Sequence, residues 1–119
     1  YVDCIEINPM CRENLKKAGL NVVGEDFLTW NPKPYDFVIA NPPFSGLTWA
    51  DHVLKMMEVP GADVITLVPE SFHFRTEAKV QRIRERVYAS YRVKDHVSPS
   101  AFKSAGTMIE TTILHILND

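Results

Sequence analysis

The stretch Tyr35–Gly46, "YDFVIANPPFSG", runs four apolar residues, Phe37-Val38-Ile39-Ala40, straight into an amide, two prolines and an aromatic ring. A short continuous apolar run of this kind belongs to strands buried on both faces, as in the inner strands of parallel sheets. Asp36–Ala40 is therefore expected as such a strand. Pro42 and Pro43 cannot donate to a ladder, and they hold the chain stiff at low entropic cost. The strand thus ends at Asn41 and leaves an amide, a carbonyl and the Phe44 ring at its carboxyl end. In open α/β sheets, ligands bind beyond the carboxyl ends of the strands.

The flanking sequence alternates strand and helix. Tyr1–Ile7 reads as a strand with no lead-in. Asn8 can cap a helix with Pro9 at its first position, Cys11, Leu15 and Ala18 on one face, and Gly19 at its end. A short strand, Leu20–Val23, precedes a loop with prolines at 32 and 34. After the quoted stretch, Thr48 and Asp51 suggest a capping arrangement for a helix through Ala50, Val53, Leu54 and Met57, which Pro60-Gly61 stops. Ala62–Val68 is expected as another buried strand, and a helix from Thr76 to Ala89 turns Val80, Ile83 and Val87 inward. Tyr91–Val97 and Thr107–Leu117 should pair antiparallel, because no helical crossover lies between them. The pattern is that of an α/β fold with a mainly parallel sheet and a C-terminal antiparallel strand pair. Glu6-Ile7, Asp26-Phe27 and Asn41–Phe44 all fall at strand ends, and are expected to face one crevice.

Composition narrows the class. The chain has 119 residues, 45% of them hydrophobic and 24% charged, which suits one soluble globular domain. It contains no run of about 18 apolar residues that would cross a bilayer, and no leader pattern opens it, so the default expectation is cytoplasmic with no membrane partner. Cys4 and Cys11 are expected as small buried hydrophobes. The histidines at 52, 73, 96 and 115 have no metal-ligand spacing, so no metal site is expected. The net charge of −2 conceals a basic segment, Arg75–Lys94, with seven cations against two carboxylates. That segment fits either a solvated helix face or contact with a phosphate backbone through Arg82, Arg84 and Arg86.

Taken in order, "CIEINP", "GEDFL" and "YDFVIANPPF" resemble the second, third and fourth motifs of the S-adenosylmethionine-dependent amino-methyltransferases that carry an Asn-Pro-Pro-Phe/Tyr signature. The late "AFKSAGTMIETTILHIL" is similar to that family's final antiparallel strands. The resemblance implies a Rossmann-like methyltransferase fold and S-adenosylmethionine as cofactor, with residues 1–119 forming a partial catalytic domain. It implies that Glu6 accepts from the ribose hydroxyls, that Ile7 packs on the adenine ring, that Asp26 accepts from the cofactor's amine and that Phe27 covers the ring. For Asp26 the plain alternative is an Asx turn.

Asn41 and the Pro42 carbonyl would accept the two hydrogens of an exocyclic amine, with Asn41 also bordering the cofactor. Pro43 would border the substrate, and Phe44 would stack on a target base rotated out of its helix. The implied activity is methylation of adenine N6 in DNA, as in restriction-modification. An RNA base, a protein glutamine amide and a noncatalytic nucleic-acid-binding module are the alternatives. The family's glycine-rich first motif has no counterpart, since the five glycines are isolated. The family order would put that motif, with an N-terminal strand and helix, upstream of Tyr1. The expected partners are nucleic acid, DNA before RNA, together with self-association or a separate recognition subunit.

Overall fold

A computed structural model describes residues 1–97 and 110–118. The chain forms two compact units, Tyr1–Pro32 and Lys33–Asp119.

The first unit is a β-α-β element. Strand β1 (Asp3–Ile5) pairs in parallel with β2 (Asn21–Gly24), and helix α1 (Pro9–Lys17) connects them. Both ends of α1 close as the sequence predicts. Asn8 is extended, and its Oδ1 accepts from the amides of Met10 (2.9 Å) and Cys11 (3.2 Å), two of the donors that a helix start leaves open. At the other end Gly19 takes a φ of +85°, a conformation that suits glycine. The Gly19 and Leu20 amides then bond back to Lys16 and Leu15, a Schellman closure. Two expectations fail here. Cys11 is exposed and Cys4 only half-buried, and no α1 residue is fully buried. Five of the nine residues of the helix are polar or charged, and within this unit only a two-stranded sheet lies under it.

The second unit is a four-stranded sheet in the order β3-β4-β6-β5. Strand β3 (Phe37–Ala40) runs parallel to β4 (Asp63–Pro69), with Val38 opposite Val64 and Ala40 opposite Thr66. Strand β6 (Thr111–Ile116) is antiparallel both to β4 and to β5 (Tyr91–Val97), so the expected C-terminal antiparallel pair forms. Residues 98–106, between the two predicted strands, and the predicted start of the last strand at Thr107 lie outside the described residues. Helix α2 (Thr48–Met57) buries Trp49, Ala50, Val53 and Met56, and helix α3 (Ala78–Ser90) buries Val80, Ile83 and Val87, the three positions expected. They cover the sheet face that carries Val64, Thr66 and Val68 of β4 with Leu114 and Ile116 of β6. A short 3-10 turn, Glu70–His73, follows β4 and drives Phe72 into this core, edge-on to Trp49 at 6.3 Å between ring centroids.

Two further expectations are corrected. Burial on β3 and β4 alternates instead of being continuous: Phe37 is 57% and Ile39 76% exposed, while Ile65 and Leu67 are half-buried. Both described helices of the unit pack on one face, so the opposite face of β3 has no cover from the described residues of this unit. The start of α2 also differs, because its N-cap is Leu47 with no side-chain hydrogen bond and Thr48 is already helical. Gly46, at φ +55°, turns the chain there, and the Thr48 amide bonds to the Ser45 carbonyl instead.

Leu114 is fully buried at the centre of the sheet. Leu114→Ala is expected to lower the unfolding free energy by about 2–5 kcal/mol through lost transfer energy and a residual cavity, measured by urea denaturation followed by circular dichroism.

Candidate functional site

In the first unit the candidate groups gather at the carboxyl end of the parallel pair. The Glu6 amide donates to the Gly24 carbonyl (3.3 Å), which closes the ladder just before both chains turn away. One carboxylate oxygen of Glu6, Oε2, accepts from the Asn8 amide at 3.0 Å, and Oε1 has no partner among the described residues. Ile7, next in the chain, is 66% exposed.

Arg12 on α1 holds this turn. Its Nη1 donates to the carbonyls of Glu6 (2.9 Å) and Ile7 (2.8 Å), and its Nη2 lies 3.8 Å from Glu25. Sequence reasoning missed Arg12, although its position three residues after the Pro9 helix start is the signal that could have found it.

Past the end of β2, Asp26 Oδ1 accepts from the Leu28 amide at 3.0 Å, so the Asx turn is present. That uses one oxygen, and Oδ2 has no partner among the described residues. The Phe27 ring stacks on Trp30 with centroids 6.1 Å apart. Gly24 lets Trp30 sit close to β2, since a Cβ there would stand 3.1 Å from Trp30 Cδ1 and the ring would have to shift by a few tenths of an ångström.

In the second unit Asn41–Phe44 leaves the carboxyl end of β3 in an irregular conformation. Pro42 is buried and anchors the segment. Asn41 and Pro43 are exposed, and Phe44 is half-buried. The Asn41 amide makes no hydrogen bond among the described residues. Strand β4 ends at the same edge, since β3 and β4 are parallel, and its continuation carries Glu70, Phe72, His73 and Phe74.

The three arginines of the basic helix differ in environment. Arg84 is half-buried and donates to the carbonyls of Phe72 (2.7 Å) and Arg75 (2.8 Å), and Arg86 Nη2 donates to the Leu117 carbonyl at 3.3 Å. Arg82 is exposed. Among the described residues no group of three or more His, Cys, Asp or Glu side chains could hold a metal ion, and no helix is long and apolar enough to cross a membrane.

The parallel pairs and the antiparallel close are those of a Rossmann-like α/β fold, and comparison with solved structures gives the same fold, the one that methyltransferases carry. A 23S rRNA methyltransferase, ErmE, superposes with a TM-score of 0.69 at 20% identity over 99% of this chain and 52% of its own. A Listeria monocytogenes protein provisionally assigned to the class I S-adenosylmethionine-dependent methyltransferases gives 0.64 at 14% identity, over 97% of this chain and 44% of its own. The Dnmt2 methyltransferase of S. pombe gives 0.60 at 17% identity, over 100% of this chain and 42% of its own. The chain thus spans about half the length of these structures. No protein-family model matches the sequence, and no curated protein does.

Near the start of α3, Arg75 grips Glu77 through Nε (3.0 Å) and Nη2 (2.5 Å). The Arg75 hydrogen bond, with a smaller contribution from the backbone, lowers the Glu77 carboxyl from 4.5 to about 2. A depressed carboxyl stabilises the fold above its unfolded value and loses that contribution as pH falls toward its folded value. Between about pH 4.5 and 2 the fold should therefore lose stability, and Glu77→Gln should flatten that limb without changing its slope near neutrality. Thermal denaturation across a pH series measures it.

Proposed function

We propose that this chain carries the amine-binding and nucleoside-binding parts of an S-adenosylmethionine-dependent amino-methyltransferase acting on adenine N6 in DNA. The observation that carries the reading is the exposed Asn41 amide at the carboxyl end of β3, which has no partner among the described residues and is fixed by buried Pro42. An exocyclic amine is a poor nucleophile because its lone pair is delocalised into the ring. Accepting its two hydrogens, at the Asn41 oxygen and the Pro42 carbonyl, favours a tetrahedral nitrogen with a localised lone pair. Phe44 stacks the base, and Pro43 borders it.

The first unit fits the nucleoside half of the cofactor. Glu6 offers a carboxylate oxygen for the ribose hydroxyls, exposed Ile7 an apolar surface for the ring, and Asp26 Oδ2 an acceptor for the amine, with Phe27 beside it. The cofactor, when bound, supplies an electrophilic methyl group. The chain's own residues position and desolvate the acceptor. Exposed Arg82 is available to a phosphate, whereas Arg84 and Arg86 already serve main-chain carbonyls. The uncovered Phe37 and Ile39 support self-association or a separate recognition subunit.

A second reading, methylation of a base in RNA, is favoured by the likeness to the 23S rRNA methyltransferase. Transfer of labelled methyl from S-adenosylmethionine to DNA, RNA and protein substrates tests both. Label on DNA adenine N6 is the expected result, label on RNA alone selects the second reading, and no transfer with Asn41 intact overturns them.

Asn41→Ala should leave cofactor affinity unchanged and lower kcat about 10- to 100-fold, the equivalent of one lost charge-assisted hydrogen bond. Glu6→Ala should do the reverse, weakening S-adenosylmethionine binding about 10- to 100-fold by calorimetry.

A further inference from the structure

His73 belongs to a polar cluster that the reading above does not use. The Thr112 hydroxyl, on buried β6, donates to Glu70 Oε2 at 2.9 Å. A hydroxyl has one proton, so its contact with His73 Nε2 at 3.2 Å must run the other way: Nε2 carries the hydrogen and donates. Glu70 Oε1, 3.9 Å from the same nitrogen, favours that arrangement. In the neutral ring Nδ1 is then the lone-pair acceptor, and it has no partner among the described residues.

The ring is held on several sides. It meets Phe72 edge-on at 5.3 Å, Arg84 ties down the Phe72 and Arg75 carbonyls on either side of it, and the Glu70 amide is bonded to the Glu110 carbonyl at 2.9 Å. Its side chain is still 33% exposed. A carboxylate that orients a histidine through one intermediate, with the other ring nitrogen left open, is the arrangement of a general base with its orienting group. It lies just beyond the carboxyl end of β4, the strand paired with β3, whose carboxyl end bears Asn41.

We propose that His73 Nδ1 takes the proton that the methylated amine must lose. The inference rests on the amine-methylation reading above. The amine nitrogen forms a bond to the methyl carbon, and the carbon–sulfur electron pair leaves with sulfur, which becomes a neutral thioether while the nitrogen becomes cationic. One N–H bond then breaks, its electrons return to nitrogen, and the proton bonds to Nδ1. The resulting imidazolium keeps its Nε2–H on Thr112, with Glu70 balancing its charge, and the exposed ring passes the proton to water.

Long-range proton–nitrogen correlation spectra of the unaltered protein read the tautomer directly, without cofactor or turnover. The expected result is an unprotonated Nδ1 and a protonated Nε2, with Thr112→Val relaxing that preference. A protonated Nδ1 in the neutral ring overturns the proposal. In the methyl-transfer assay His73→Gln should lower kcat about 10²- to 10⁴-fold, with KM for the acceptor and cofactor affinity unchanged. Undiminished kcat in His73→Gln, when Asn41→Ala is impaired, overturns this inference alone. No transfer by the unaltered protein overturns it together with the reading on which it rests.

Discussion

Burial of a single face of β4 is the constraint on which the second unit is built. Val64, Thr66 and Val68 point to one side, level with Ile116, Leu114 and Thr112 on the neighbouring strand, and both helices press on that side. Phe72 extends the same buried row past the end of the strand and meets Trp49 there. This edge-on contact joins α2 to the turn after β4, so the core that stabilises the sheet also sets where Glu70 and His73 stand. Apolar packing and the position of the polar cluster are one problem here, because a shift of Phe72 would move both.

Two loops that leave the carboxyl ends of strands are secured by the same device. Arg12 donates to the adjacent carbonyls of Glu6 and Ile7, and Arg84 to those of Phe72 and Arg75. A guanidinium suits this task because its planar fork presents several donors in fixed directions and stays charged at any physiological pH. Each arginine comes from the helix that follows its loop. The loop is therefore braced by its own downstream element, and its side chains remain available for other work. A segment rich in arginine reads naturally as a phosphate surface, yet half-buried guanidinium groups at 2.7–2.8 Å from carbonyls are structural members.

The alternation of elements was legible because its signals are local. Asn8-Pro9 and Gly19 mark both ends of α1 by backbone chemistry that needs no tertiary context, and the spacing of Val80, Ile83 and Val87 reports the inward face of α3 directly. What the sequence could not convey was one-sidedness. An apolar run such as Phe37–Ala40 has the same composition whether helices cover one face or two, and only the placement of α2 and α3 decides it. The same holds for Cys11 and for the Thr48 cap, where a favourable residue type stands at a position whose neighbours do not complete the arrangement. At the candidate site, Glu6, Asp26 and Asn41 were visible as polar groups at strand ends. The Glu70–Thr112–His73 cluster was not, since its members come together over a separation of about 40 residues that no local pattern reports.

That separation governs the order of assembly. Strand β4 is an inner strand, but its second neighbour, β6, begins 42 residues after β4 ends. Loop closure over such a distance must be completed before the pairing can reward it, which makes long-range strand pairing slow. On the ribosome the helices and the β3-β4 pair can form early, while one edge of β4 stays bare until Thr111–Ile116 has emerged. The nascent chain thus passes through a stage in which Val64, Thr66 and Val68 lie on a strand still open along one edge, the stage at which chaperone protection would matter most.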